Sequence, residues 1–209
     1  MRKAVIFDMD GTLWDSVDNI VTSWNQALPT IGETALFITR ERLLGLMGKT
    51  MDHFAADFFP QYTPEKGMEL FHVLEVAEND YLRLHGAVLL GDVEAVFRRL
   101  HEAGWGVCIV SNCQSGYIEA FLEHYHLENL VDDLECYGNT GRGKADNLRS
   151  VIARNGLERY WYLGDTQGDY DACAEAGVPF LWASYGFGAV DADVPQVDSL
   201  EEIVRAVGE

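Results

Sequence analysis

Four aspartates, a serine and a lysine are spaced along this chain in a way that can do chemistry. Asp8 and Asp10 stand two apart in Asp8-Met9-Asp10-Gly11-Thr12-Leu13. Asp165 and Asp169 stand four apart in Gly164-Asp165-Thr166-Gln167-Gly168-Asp169. Between the two pairs lie Ser111-Asn112 and Gly143-Lys144. Carboxylates suit a hard cation such as Mg2+, which takes oxygen ligands in octahedral geometry and keeps several waters. A carboxylate is a weak nucleophile, yet it attacks a phosphoryl centre held in line with it. The Ser111 hydroxyl and the Asn112 backbone N–H are groups that can hold phosphate oxygens. Lys144 opens an expected helix, where its charge adds to the positive end of the dipole.

These residues must be brought together, and the elements around them predict how. Short apolar runs at Ala4 to Phe7, Gly106 to Val110, Tyr160 to Leu163 and Phe180 to Ala183 read as buried parallel strands. The first three end abruptly in Asp8, Ser111-Asn112 and Gly164-Asp165. Helical patterns separate them. Asp92 caps a helix carrying Val93, Val96, Phe97 and Leu100, stopped at Gly104. Ser115 is expected to cap another through Ile118, Phe121, Leu122 and Tyr125. Leu148, Val151 and Ile152 mark a third, closed by Asn155-Gly156. Ser199 with Glu202 has capping-box spacing for the last. Alternation of strand and helix predicts a doubly wound α/β sheet with right-handed crossovers. Ligands bind such sheets outside the carboxyl ends of the strands, so three polar strand ends imply one site.

Residues 16–80 break the alternation. Ile20, Trp24, Ala27, Leu28 and Ile31 follow helical spacing. Thr39 can cap a helix leading to Leu43 and Leu46. Thr63-Pro64 opens another through Met68, Phe71 and Leu74, with Pro at its first position. The stretch reads as a helical insertion over the site edge, a small second domain. That predicts a core of 1–15 and 81–209 with a cap of 16–80.

Composition narrows the partners. Fifteen Lys plus Arg against 34 Asp plus Glu give a net charge of −19, which argues against a nucleic-acid partner bound through counterion release. Arg2 and Lys3 precede an apolar run too short for a signal peptide or a membrane span, and no later run is long enough to cross a membrane. Cys108, Cys113, Cys136 and Cys173 lack metal or disulfide-scaffold spacing, as expected of reduced thiols in a cytoplasmic protein.

The four motifs, in this order and on these elements, resemble the haloacid dehalogenase superfamily of phosphohydrolases. Its D-x-D-G-T is Asp8 to Thr12, its strand-end Ser or Thr is Ser111, its lone Lys is Lys144, and its G-D-x-x-x-D is Gly164 to Asp169. The resemblance implies a Rossmann-like core and a magnesium-dependent phosphatase acting on a small phosphorylated metabolite through an aspartyl-phosphate on Asp8. It implies metal ligation by Asp8, by Asp165, by the Asp10 backbone carbonyl, and by Asp169 directly or through water. Ser111, Asn112 and Lys144 would hold the phosphate, with Lys144 bridging it to the nucleophile. Like charges about 4 Å apart repel by roughly 4 kcal/mol at an effective dielectric near 20, so one carboxyl should keep its proton. Asp10, its side chain free of the metal, is the expected acid and base.

Asp10 and Asp169 set the chain apart from the hydrolytic dehalogenases of the superfamily, and Asp10 from its phosphonatases. The insertion and the Tyr185-Gly186-Phe187-Gly188 loop resemble the phosphoglycolate phosphatase and β-phosphoglucomutase branch. Ala145 and Trp14 depart from the usual pattern there. A phosphosugar mutase and a non-catalytic phosphometabolite-binding protein are the alternatives. In the insertion, Gly45-Leu46-Met47-Gly48-Lys49-Thr50 reads as a turn that brings Lys49 to the non-transferring end of an anionic substrate. The plainer reading of Lys49 is a surface lysine.

Overall fold

A computed structural model describes residues 3–208. Met1, Arg2 and Glu209 lie outside the described residues, and with them the Arg2 flank and the outer ends of the expected core.

The chain enters as β1 (Lys3–Phe7), then β2 (Trp14–Asp15). The helices α1 (Val17–Ala27), α2 (Arg40–Leu44), α3 (Met51–Phe58) and α4 (Pro64–His85) follow, before β3 (Val88–Leu89). From there α5 (Val93–Glu102), β4 (Gly106–Ser111), α6 (Tyr117–Tyr125), β5 (Asp133–Cys136) and α7 (Tyr137–Thr140) lead to α8 (Lys144–Asn155). The chain closes with β6 (Arg159–Gly164), α9 (Gln167–Ala176), β7 (Phe180–Ala183), β8 (Gln196–Val197) and α10 (Ile203–Ala206).

Six strands form one parallel sheet in the order β5-β4-β1-β6-β7-β8. Chain order runs from β1 outward to β5, then returns to the other side of β1 at β6, so the switch point of the doubly wound sheet lies between β1 and β6. Alternation in β1 feeds two cores: Val5 and Phe7 pack with Phe97, Val107 and Ile109 on one face, Ala4 and Ile6 with Val110, Leu148 and Tyr162 on the other. All four cysteines are free and buried. No helix among the described residues is long and apolar enough to cross a membrane.

Between β2 and β3 the regular elements of the insertion are all helical. Thr39 and Thr63 cap α2 and α4 by accepting from the Arg42 and Lys66 N–H groups. Helix α3 has no counterpart in the sequence reading; Met51, Phe54, Ala55 and Phe58 are its buried face. Its Phe54 and Phe58, with Phe71 of α4, meet Trp24, whose ring lies 5.9, 5.5 and 5.2 Å from theirs at near-perpendicular angles. The insertion leaves and returns through the antiparallel β2-β3 ribbon, Trp14 opposite Leu89 and Asp15 opposite Val88. Trp14 is fully buried there, edge-on to Tyr117 and Phe121, so this departure from the family pattern is a core residue.

Two expected caps are corrected. Ser115 does not cap α6: its carbonyl accepts from Asn79, and Gly116, left-handed at φ 86°, starts the helix. Ser199 and Glu202 form no capping box, because the chain there opens as a 3-10 turn (Leu200–Glu202) and the Glu202 carboxylate instead accepts from the Asp198 N–H. Strands β5 and β8 also went unread in the sequence. Asp133 and Glu135 give β5 an acidic pattern, and β8 has two residues at the sheet edge, so neither has the apolar run of a buried strand.

Candidate active site

Three adjacent strands end at one edge of the sheet. Ser111 is the last residue of β4, Asp8 follows β1 and Asp165 follows β6. Phe7 pairs with Leu163, and the Asp8 N–H donates to the Leu163 carbonyl at 2.9 Å, which levels the two strand ends. Lys144 enters as the first residue of α8, and Asp169 from the first turn of α9. The structure therefore brings Asp8, Ser111, Lys144, Asp165 and Asp169 together, all of them buried.

Lys144 is the hub. Its Nζ lies 3.0 Å from Asp8 Oδ1 and 2.5 Å from Asp169 Oδ1. Burial works against its charge, but Asp169 and Asp8 outweigh that and hold its pKa above the ordinary lysine range. Burial likewise raises Asp169, and here Lys144 and the Thr166 donors prevail and bring it below the usual carboxylate range. Asp8 stays above its usual range, because burial and the Asp169 charge exceed what Lys144 returns.

Asp169 is fully engaged. Its Oδ1 accepts from Lys144 and, at 3.3 Å, from the Tyr162 hydroxyl; its Oδ2 accepts from the Thr166 N–H and hydroxyl at 3.0 and 2.7 Å. The Thr166 pairing is the capping box of α9, so the helix start and the site share one carboxylate.

Asp165 is held on one side only. Its Oδ2 accepts from the Phe187 and Gly188 N–H groups at 2.8 and 3.3 Å, while its buried Oδ1 has no hydrogen-bond partner. An orphaned buried carboxylate oxygen is costly. Asp8, Asp165 and Asp169 each offer an oxygen within 4.8 Å of the others, which is the donor chemistry of a hard divalent cation. Without one, burial first and then Asp169 and Asp8 push Asp165 up to about 8. Backbone approaches closely here. Gly11 has φ 81°, and a Cβ on it would strike the Asp165 carboxylate; one on Gly186 would strike Asp165 and the Gly11 carbonyl.

Asp10 is held by two hydroxyls. Its Oδ1 accepts from the Ser16 hydroxyl and, at 2.7 Å, from Tyr117. Burial outweighs these donors and pushes its pKa up to about 7. Ser16, Tyr117 and the Phe187 and Gly188 amides went unread in the sequence. Tyr117 lies 107 positions from Asp10, and in sequence it reads only as a helix residue.

A cavity of about 40 Å3 lies over the strand ends. The core lines it with Asp8, Asp10, Ser111 and Asn112, and the insertion with Gly48 and Lys49. The Asn112 side-chain amide donates to the Gly48 carbonyl at 2.9 Å, tying the β4 end to the insertion. Lys49 itself is exposed at the cavity's outer lip.

Comparison with known proteins matches residues 5–183 to the family described as haloacid dehalogenase-like hydrolase. A phosphoglycolate phosphatase of Aliivibrio fischeri is 25% identical over 213 residues, covering 97% of this chain and 91% of its own. A plasmid phosphoglycolate phosphatase of Cupriavidus necator is 28% identical over 221 residues, covering 96% and 90%. Among solved structures, CbbY from Rhodobacter sphaeroides in complex with phosphate superposes with a TM-score of 0.82 at 19% identity, over 97% of this chain and 96% of that one.

Proposed function

Because the chain belongs to the haloacid dehalogenase-like hydrolase family, we propose that it is a magnesium-dependent phosphatase that removes phosphate from a small metabolite, of the phosphoglycolate or sugar-phosphate type, through an aspartyl-phosphate on Asp8. Residues 1–15 and 81–209 act as the catalytic core and 16–80 as its cap. One observation carries this reading. A buried lysine is clamped between Asp8 and Asp169, while Asp165, whose Oδ1 has no hydrogen-bond partner, offers an oxygen within 4.8 Å of both carboxylates. The relatives named as phosphoglycolate phosphatases support the same reaction class.

In this scheme Asp8 and Asp165, with the Asp10 backbone carbonyl, would hold Mg2+, which would supply positive charge against the carboxylates and the phosphate oxygens. The hydrogen bonds of Asp169 to Lys144, Tyr162 and Thr166 favour a share in the site through Lys144 over direct ligation. An Asp8 oxygen attacks phosphorus while the bond from phosphorus to the leaving oxygen breaks. Asp10, still protonated near neutrality, gives that oxygen its proton. Ser111, the Asn112 N–H and Lys144 hold the three equatorial oxygens as charge spreads over them. A water then attacks the phosphoryl group and gives a proton to Asp10, which frees Asp8 and inorganic phosphate. Lys49 supplies a cation from the cap to the bound substrate.

The test is phosphate release from a panel of phosphorylated metabolites and from p-nitrophenyl phosphate, with Mg2+ and with EDTA, by the wild type and Asp8→Asn. Release that needs Mg2+ and Asp8 is expected. Residual activity of Asp8→Asn within tenfold of wild type, about 1.4 kcal/mol of barrier, would remove Asp8 as nucleophile.

A further inference from the structure

The cap side of the cavity is lined by two buried polar groups that the catalytic scheme leaves unused. Glu78 projects from the middle of α4 and is 2% exposed; Trp24 projects from α1 and is also 2% exposed. Both line the same cavity as Asp8 and Asp10. Glu78 Oε2 and Trp24 Nε1 are each buried without a hydrogen-bond partner. On the cap side their neighbours in the wall are apolar, Ile20, Leu43, Met51 and Phe54, while the core contributes Gln114 and Tyr117 to the same lining. A buried acceptor and a buried donor left open in one cavity cost stability, and they are complementary to a group that both accepts and donates. A hydroxyl does this: it accepts from the indole N–H and donates to the carboxyl oxygen.

A carboxylate meets the opposite conditions. The described cavity lining carries Asp8, Asp10 and Glu78, and Lys49 is the one cation among those residues. Lys49 is exposed, so solvent screens it. The field at the cap end has a built-in reporter. Burial first, together with the Asp10 charge, pushes Glu78 itself up to about 8, against the downward pull of the nearby Gln114 and Trp24 side chains, neither of which reaches hydrogen-bonding geometry on Oε2. What resists a negative charge on Glu78 resists one on a ligand placed beside it.

We infer that Glu78, paired with Trp24, is the specificity-determining residue of the cap, and that it selects organic phosphates whose leaving group is a neutral polyhydroxy alcohol over those carrying a carboxylate. This rests on the phosphatase reading above and decides between the two substrate types it names. Buried acids without partners are rarely kept for stability, so the variant Glu78→Met should melt no lower than the wild type.

The experiment measures kcat/KM with Mg2+ for a series of polyol monophosphates of three to six carbons and for 2-phosphoglycolate, with p-nitrophenyl phosphate as a wild-type control. The best polyol phosphate should exceed 2-phosphoglycolate at least tenfold in the wild type. That ratio should fall at least tenfold in Glu78→Met, and by a smaller factor, at least threefold, in Glu78→Gln, which keeps a hydrogen-bonding side chain of the same length. Should Glu78→Met fail to fold, the threefold fall in Glu78→Gln decides alone. A wild-type ratio below ten, or a ratio unchanged by the variants, overturns the inference. If p-nitrophenyl phosphate is still hydrolysed, the phosphatase reading survives that failure. A wild type that releases no phosphate from any of these substrates overturns both.

Discussion

At the scale of single residues, hydrogen bonds divide four aspartates among different tasks. Ser16 and Tyr117 both donate to Asp10 Oδ1, which leaves the other oxygen as the natural seat of a proton. The raised pKa of about 7 sets the sign of its pH dependence: the acid is present below that value and lost above it. Turnover of an alkyl phosphate, whose leaving oxygen needs a proton, should decline as pH rises through 7, whereas p-nitrophenyl phosphate should decline less. Asp10→Asn should slow the alkyl phosphate by 10²-fold or more, the usual range of acid catalysis. Equal slowing of both substrates in burst kinetics would count against the acid role. Asp165 depends on two neighbours without side chains. Gly186→Ala places a methyl against Asp165 and the Gly11 carbonyl, so the Mg2+ concentration giving half-maximal activity should rise at least tenfold. An unchanged Mg2+ titration would separate Asp165 from the metal.

At the scale of elements, α8 has two jobs at its two ends. Its first residue is Lys144, and near its last turn Arg154 reaches β5, donating to Asp133 at 2.6 and 2.7 Å and to Glu135 at 2.6 Å. Burial tends to raise Asp133, but Arg154 and Asn155 outweigh it and its pKa ends below the ordinary value. A depressed carboxyl contributes stability that is fully present above the unfolded pKa, near 4, and lost as pH falls through the folded one. Arg154 is 41% exposed, so solvent discounts the pair, and Arg154→Met should cost about 1 kcal/mol. For a chain of this size that is a Tm drop of about 2–4 °C at pH 7. The gap between the two melting curves should close in acid, and a constant gap from pH 7 to pH 2 would rule the ion pair out as its source.

At the scale of the whole molecule, the insertion and the core share the lining of one cavity and are joined across it by the Asn112 to Gly48 hydrogen bond. The cavity between them is small, about 40 Å3, and a cap that moves to admit substrate would part the Gly48 to Asn112 hydrogen bond. The ribbon of β2 and β3 is the link that would flex. It is braced by Asn19 donating to the Gly86 carbonyl at 2.6 Å and by Arg40 on Asp15 at 2.5 Å. Closure over a bound anion should order the Gly45 to Thr50 segment. Hydrogen exchange of its amides should slow at least threefold when orthovanadate and Mg2+ are added. Exchange that is indifferent to both would leave the insertion a static wall.

Much of this was already legible in the chain. The apolar runs at β1, β4, β6 and β7 are buried on both faces and therefore read without alternation, and Asp92, Thr39 and Thr63 announce their helices because a cap is a local bargain within four residues. The strand ends placed Asp8, Ser111 and Asp165 at one edge, since a parallel doubly wound sheet delivers all its carboxyl ends to the same side. Strand β5 and helix α3 were hidden, because the acidic side chains of one are held by Arg154 and the buried face of the other is defined by Trp24, contacts that no local window contains. The same holds for the site. The residue types and their order belonged to the sequence alone. Only the tertiary structure decided that Tyr117 holds Asp10, that two loop amides hold one oxygen of Asp165 and leave the other open, and that Glu78 and Trp24 share a pocket, because each is a meeting of elements far apart in the chain whose geometry comes from packing.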